Sequence, residues 1–272
     1  MLKDKMIAVL GVGNMGEALV SGLVKSKTAD PNKLICTDVR QRQLDHLQKS
    51  YGVRVTKQNL EAVEAAEIII YAVKPQIMAA VLKETGAALD KTKLIISIAA
   101  GVPLAAIEQK VNKHLRLVRV MPNICASVQA GASAIAAGQH VEPGDIDLAK
   151  EIFDSVGESV FIDENELMDA ITGLSGSGPA YIFLIVDAMA DAGVKMGLSR
   201  ADAHFLATQT VLGAAKMLQE TGEHPGQLKD RVTSPGGTAI AGLHTLEKGG
   251  WRTTLIKAVE AATKRSSELG QI

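Results

Sequence analysis

Aromatic side chains are scarce in this 272-residue chain: one Trp, three Tyr and four Phe, 3% of the total. So few rings leave the core to aliphatic residues and offer no platform on which single-stranded bases would stack. An excess of one charge sign is missing too. Lys and Arg number 29 against 30 Asp and Glu, a net charge of −1, so nothing basic is left over to neutralise a nucleic-acid backbone or an anionic membrane. The two cysteines, Cys36 and Cys125, are far apart and neither lies in a CxxC pair. That argues against a zinc ribbon, an iron–sulfur cluster or a disulfide framework and fits a reducing, cytoplasmic setting. Long apolar runs are absent: the longest, Leu94 to Ile107, is interrupted by Gly101 and Pro103 and is too short to span a bilayer. HExxH, GxxxxGK[ST] and GxSxG do not occur. His46, His114, His140, His204, His224 and His244 lack ligand spacing and read as surface or packing residues, so no metal is expected.

Hydrophobic residues nevertheless make up 47% of the chain, enough for a sizeable core. In the first half, short apolar runs alternate with helical stretches. Strands are expected at Ile7–Leu10, Leu34–Thr37, Val53–Val55, Ile68–Val73, Leu94–Ile98, Leu117–Met121, Gly131–Ala137 and Ser159–Ile162, with helices between most of them. The basic start and brief apolar run at the N-terminus suit a first strand better than a signal peptide, because no small-residue cleavage site follows. Continuous apolar strands between helices imply a parallel sheet covered on both faces. After Asp163 the strand signal stops. Helices are expected over Ala180–Ala192, from Ser199 as N-cap to Gln219, over Thr238–Lys248 and over Trp251–Leu269. The reading is therefore α/β: a Rossmann-type parallel sheet over residues 1–162 and an all-α domain over residues 163–272. The helix from Ala180 to Ala192 is apolar on nearly every side and so needs cover on every side. Roughly 110 residues of helix cannot supply that alone. Interlocked helices from a second copy are expected.

Gly11-Val12-Gly13-Asn14-Met15-Gly16 matches GxGxxG between the first strand and the first helix. That is where the pattern cradles a dinucleotide pyrophosphate: Gly11 for the tight turn, Gly13 for close backbone approach, Gly16 for helix–strand packing. Asp38 follows the second strand, 22 residues after Gly16, where a carboxylate binds a ribose 2′-OH and repels a 2′-phosphate. Arg40 could pair with that phosphate or be a solvated loop charge. The balance favours NADH, with NADPH also usable.

Two glycine–serine stretches, Gly173–Pro179 and Ser234–Thr238, each precede a helix. They could be plain caps and turns, or a backbone cradle for a small carboxylate. Taken together and in order, Ala72-Val-Lys-Pro75, Ser97-Ile-Ala-Ala-Gly101, Arg119-Val-Met-Pro-Asn123, Thr172-Gly-Leu-Ser-Gly-Ser-Gly-Pro-Ala-Tyr181, His224-Pro-Gly-Gln-Leu-Lys-Asp230 and Ser234-Pro-Gly-Gly237 resemble the pyrroline-5-carboxylate reductases over essentially the whole chain. The resemblance implies hydride transfer from NADPH or NADH to the C=N bond of L-1-pyrroline-5-carboxylate, giving L-proline in the last step of proline biosynthesis. A protonated imine accepts hydride readily, so positioning matters more than acid–base groups. By the same resemblance, Gly13, Asn14 and Met15 hold the pyrophosphate and Asn59 reaches the adenosine side. Ala72, Val73, Lys74 and Pro75 line the cofactor, and Ala99 and Ala100 lie near the nicotinamide. The substrate carboxylate sits against Ser234, Gly236, Gly237 and Thr238, with Ser175, Gly176, Ser177, Gly178 and Pro179 nearby. The family's substrate site includes loops of a partner subunit, in a dimer or a pentamer of dimers. One position departs: Ala239 stands where the family usually has threonine, so the hydroxyl at the ring nitrogen is either missing or supplied by the preceding Thr238 or by water, with Thr238 taken as the candidate. Two rivals follow from the same pattern. One is a non-catalytic dinucleotide-binding regulator. The other is a β-hydroxyacid dehydrogenase, which needs a lysine on the first long C-terminal helix, whereas Lys195 is expected in a turn beyond it.

Overall fold

The computed structural model describes residues 2–162 and 167–270. These form two compact units, residues 1–177 with 260–272, and residues 178–259. The boundary expected after residue 162 abuts residues 163–166, which lie outside the described ones. The compact units divide later, after Ser177, and the end of the last helix belongs to the first unit.

The first unit is built on an eight-stranded sheet in the order β3-β2-β1-β4-β5-β6-β7-β8. Its strands are β1 (Ile7–Leu10), β2 (Leu34–Thr37), β3 (Arg54–Thr56), β4 (Ile68–Tyr71), β5 (Leu94–Ser97), β6 (Arg116–Met121), β7 (Gly131–Ala137) and β8 (Gly157–Phe161). β1, β2, β4 and β5 are buried at every position. A strand covered on both faces has no side to leave polar, hence Ile-Ala-Val-Leu and Ile-Ile-Ile-Tyr rather than alternation. One face is covered by α1 (Asn14–Lys25), α2 (Gln41–Tyr51) and α6 (Asp145–Asp154). The other is covered by α3 (Asn59–Ala65), α4 (Pro75–Thr85) and α5 (Leu104–Val111).

β1 to β6 run parallel as expected, but β7 is antiparallel to β6, with Val118 opposite Ala137. A parallel return needs a crossover of a dozen residues or more, usually a helix. The link from Met121 to Gly131 holds only a single short turn, Ile124–Val128, so the chain doubles back. β8 then follows α6 and pairs parallel with β7.

Met168–Ile171 forms α7, and Thr172–Gly176 continues as a π turn, with the Ser177 N–H donating to the Thr172 carbonyl. The stretch from Gly173 is therefore coiled, not an open loop. The helices that follow are α8 (Gly178–Lys195), α9 (Arg200–Thr221), α10 (Pro225–Arg231), α11 (Thr238–Lys248) and α12 (Trp251–Gly270). Ser199 caps α9 by accepting from the Asp202 N–H, as its spacing predicts. α10 was not foreseen; His224 caps it through Nδ1 and Pro225 opens it. Lys195 is the last residue of α8, not part of a turn beyond it.

In the second unit α8 packs on α9 through Ala190, Ala203 and Ala207. A side chain at Gly193 would press on Ala203. Only Ala190 of α8 is buried within the chain, while Phe183 is 62% and Leu184 70% exposed. Met168–Lys195 is long and apolar enough to cross a membrane by length and composition. That stretch, unlike Leu94–Ile107, is the apolar run that needs an explanation.

Candidate active site

Strand order reverses between β1 and β4, and ligands of such sheets bind outside the carboxyl ends of the strands at this switch point. Gly11 has φ +87°, and its N–H donates to the Thr37 carbonyl at 2.9 Å. A side chain here would meet Val73 Cγ1 at 2.8 Å. At Gly16 a Cβ would overlap the Gly11 carbonyl oxygen, so α1 can start this close to the strand only with glycine. Gly13 differs from both. It is the N-cap of α1 with φ −71°, and nothing lies within 4 Å of where its Cβ would be. No protein atom requires glycine at that position. The open space above it faces the free N–H groups at the start of α1, the place for a phosphate.

At the end of β2, Asp38 and Arg40 are clamped together. Arg40 Nε donates to Asp38 Oδ1 and Nη2 to Oδ2, each at 2.9 Å, and the Arg40 backbone N–H also reaches Oδ1. The Asp38 side chain is 7% exposed and that of Arg40 58%. Burial raises the Asp38 pKa, but the hydrogen bonds and charge of Arg40 outweigh it, and the carboxyl lies below its ordinary value. Asp38 is thus an ionised carboxylate whose charge is offset by the guanidinium of its own neighbour.

Asn59 opens α3 with its amide orientation fixed from two sides. A carboxylate only accepts, so the Asn59 Nδ2 must face Glu84, to which it donates at 2.9 Å. The Oδ1 then accepts from the Thr37 hydroxyl at 2.6 Å. One amide hydrogen is left for a ligand. Glu84 lies 25 residues away on α4; neither it nor Thr37 carries a motif that a sequence reading could have used.

Ala72 and Val73 are half-buried after β4; Lys74 is exposed and caps α4, which Pro75 opens. Ala99 is buried after β5 and Ala100 half-buried. The neighbouring Gly101 has φ +74° and lies against the end of α12, with the Ser266 carbonyl oxygen 3.2 Å from where a Cβ would be. Ser266 Oγ donates to Asp169 Oδ1 at 2.6 Å. The loop after β5 is therefore backed by the last helix, nearly 170 residues on, a contact no local pattern signals.

Asn123 ties this region together: Nδ2 donates to the Ser175 carbonyl at 3.1 Å, and Oδ1 accepts from the Cys125 and Ala132 N–H groups. The Ser175 hydroxyl donates back to Ile171 at 3.1 Å. Gly176 faces Met121, whose Cε would be 2.7 Å from an added Cβ.

In the second unit, Ser234-Pro235-Gly236-Gly237 makes a type II turn. The Gly237 N–H donates to the Ser234 carbonyl at 3.0 Å, Pro235 takes the first corner and Gly236 has φ +68° at the second. Gly237 is the N-cap of α11, and a side chain there would overlap Ser234 Oγ. The turn therefore leaves Ser234 Oγ beside the free N–H groups of α11, where Thr238 is the first residue and is exposed. Among the described residues no cluster of His, Cys, Asp and Glu is arranged to hold a metal ion. His46 pairs with Glu17 at 2.9 Å, and His114 stacks on His140.

Two family models match the chain. Residues 165–269 match pyrroline-5-carboxylate reductase dimerisation, and residues 6–101 match NADP oxidoreductase coenzyme F420-dependent. A curated pyrroline-5-carboxylate reductase of Methanosarcina acetivorans is 48% identical over 270 residues, 99% of this chain and 100% of that protein. Among solved structures, a pyrroline-5-carboxylate reductase from Coxiella burnetii superposes with a TM-score of 0.93 at 39% identity, covering 97% of this chain and 98% of that one. The Plasmodium falciparum pyrroline carboxylate reductase, with NADP bound, gives 0.89 at 33%, covering 99% of this chain and all of the other.

Proposed function

The chain belongs to the pyrroline-5-carboxylate reductase family, and on that premise we propose how its residues divide the work of the reaction. The reaction is reduction of L-1-pyrroline-5-carboxylate to L-proline at the expense of NAD(P)H, closing proline biosynthesis. The observation that carries this reading is the match along the whole chain, with the phosphate-binding turn intact.

NAD(P)H, when bound, supplies the hydride. The chain's part is to hold two reactants in line. Gly11, Gly13, Asn14, Met15 and Gly16 would take the pyrophosphate on the N-terminus of α1. The space above Gly13, which no side chain occupies, fits that group. Asp38 and Arg40 would face the 2′ position and Asn59 the adenosine side. Ala72, Val73, Lys74 and Pro75 would line the path to the nicotinamide beside Ala99 and Ala100. Ser234, Gly236, Gly237 and Thr238 would hold the substrate carboxylate on the backbone N–H groups of α11. The Thr238 hydroxyl would orient the ring nitrogen in place of the family's usual next residue. The coiled stretch Ser175–Pro179 would shape the site. As hydride adds to the carbon of the protonated C=N bond, the π electron pair moves onto nitrogen and becomes the amine lone pair, so no strong protein acid is required.

The protein is a homo-oligomer. Phe183, Leu184 and the other exposed apolar residues of α8 support interlocked helices in a dimer, and a pentamer of dimers is the larger assembly we propose. A cytoplasmic location is supported by two cysteines that remain thiols.

The test is oxidation of NADPH or NADH by the purified chain with L-1-pyrroline-5-carboxylate. Turnover is expected with both cofactors. Cofactor binding without turnover would mark a regulator of the same fold, and turnover only with hydroxy acids a dehydrogenase. Thr238→Ala should raise KM or lower kcat; unchanged kinetics would remove Thr238 from the site.

A further inference from the structure

Arg119 is a largely buried cation with no hydrogen-bond or ion-pair partner among the described residues. It lies on β6 opposite Ser97, the last residue of β5, and it is 7% exposed. Val118 and Val120 face the core beneath α1 and α6, so Arg119 points to the other side of the sheet with Leu117 and Met121. Met121 touches the π turn Thr172–Gly176. Arginine carries five N–H donors, yet none finds an acceptor within hydrogen-bond distance among the described residues, and no carboxylate lies within ion-pair distance. The nearest influence is the charge of Asp169, whose Oδ1 is taken by Ser266 Oγ. Burial pushes the guanidinium below its ordinary pKa, and Asp169 restores part of the loss.

The stem is buried while the guanidinium keeps a narrow opening to solvent, since Glu108 Oε1 is the one fully buried polar side-chain atom without a hydrogen-bond partner among the described residues. A charged fork set so deep with no protein acceptor is suited to a ligand that completes it. Two residues past Ser97 the chain reaches Ala99 and Ala100, the segment read above as lying at the nicotinamide. We propose that Arg119 is a ligand-binding residue at the nicotinamide end of the site, donating to an acceptor oxygen of the bound reactants. That oxygen belongs to the substrate carboxylate or to the nicotinamide carboxamide. The planar fork suits both. The π turn Thr172–Gly176, which Met121 touches two residues along β6, is a distortion frequent at functional sites. The proposal rests on the functional reading above.

The experiment uses the full-length oligomer with Arg119→Met and Arg119→Lys. Melting of the ligand-free proteins is read first, since it needs no turnover. Arg119→Met keeps the apolar stem and removes a charge that has no hydrogen-bond partner among the described residues, so it should melt close to wild type. NADPH affinity by fluorescence titration and KM for pyrroline-5-carboxylate follow. One of them should weaken by about 10- to 100-fold in Arg119→Met, as expected for loss of a hydrogen bond from a charged donor. Arg119→Lys, charged but without the fork, should lie between. A change confined to substrate KM assigns the carboxylate, and one in NADPH affinity assigns the carboxamide. If Arg119→Met melts below wild type while both binding constants hold, the residue is structural and the proposal falls. Wild type that fails to turn over the substrate sinks the functional reading, while the melts and NADPH titration still judge Arg119.

Discussion

Gly13 and Gly16 belong to one motif, and the structure predicts opposite outcomes for the same substitution in each. At Gly13 an alanine Cβ enters open space at an ordinary φ of −71°. Losing glycine from the unfolded chain stabilises by about 0.4–1 kcal/mol. Alanine is a poorer N-cap than glycine by roughly 0.5 kcal/mol or more. The two nearly cancel, so the ligand-free melting temperature of Gly13→Ala should stay within about 2 °C of wild type. Its methyl occupies the space proposed for the pyrophosphate, and overpacking of that kind costs roughly 1–3 kcal/mol. NADPH should then bind about 5- to 150-fold more weakly. At Gly16 the methyl overlaps the Gly11 carbonyl oxygen, part of the backbone. Gly16→Ala should lose about 1–3 kcal/mol of stability before any ligand is added, a fall of roughly 2–4 °C for each kcal/mol. Thermal melts of the ligand-free proteins and NADPH fluorescence titrations measure both quantities. The reasoning is refuted if Gly13→Ala binds NADPH like wild type, or if it melts as low as Gly16→Ala.

Asp38→Asn should free Arg40 from its clamp and remove a repelling charge, raising the NADPH-to-NADH ratio of kcat/KM by roughly tenfold; an unchanged ratio would place the 2′ group elsewhere. Glu84→Ala should raise KM for the cofactor several-fold with kcat preserved, because the Asn59 amide loses its fixed orientation. Glu84→Gln, which still offers an acceptor, should restore it. Burial pushes the Cys36 thiol up to about 12. The unfolded thiol titrates near 8.5, so the neutral form favours the fold fully below that pH, and stability should decline as pH rises from about 8.5 toward 12. In native protein at pH 8, maleimide should label Cys125 and spare Cys36 until denaturant is added; rapid labelling of Cys36 would contradict its burial.

Much of the nucleotide-binding unit is legible locally. Apolar runs of four between helical stretches, and a glycine turn where the first strand ends, are patterns of neighbouring residues. β1, β7 and α11 accordingly begin and end where the spacing predicts. The type II turn at Ser234-Pro-Gly-Gly is equally local, since Pro and Gly each demand their own corner. The Gly173 stretch misled for the same reason: glycine and serine signal a turn, while the Ser177 N–H to Thr172 carbonyl bond coils it into a helix.

The sequence by itself determined most of the elements and, through its ordered motifs, which family the chain joins. Tertiary structure alone decided the rest. A link too short for a crossover reversed β7. Residues 167–177 and the end of α12 pack with the first unit, where Ser266 and Gly270 close on Asp169 and Gly101. Whether Asp38 excludes a phosphate depends on the geometry of Arg40 two residues away, and the Asn59 amide is aimed by Glu84 on another helix. Arg119 reads in sequence as one more charge in a strand; only its surroundings reveal a largely buried cation with no hydrogen-bond partner among the described residues. Periodicity records what each residue does for its own element, whereas charge compensation and ligand geometry depend on groups that the fold brings in from elsewhere.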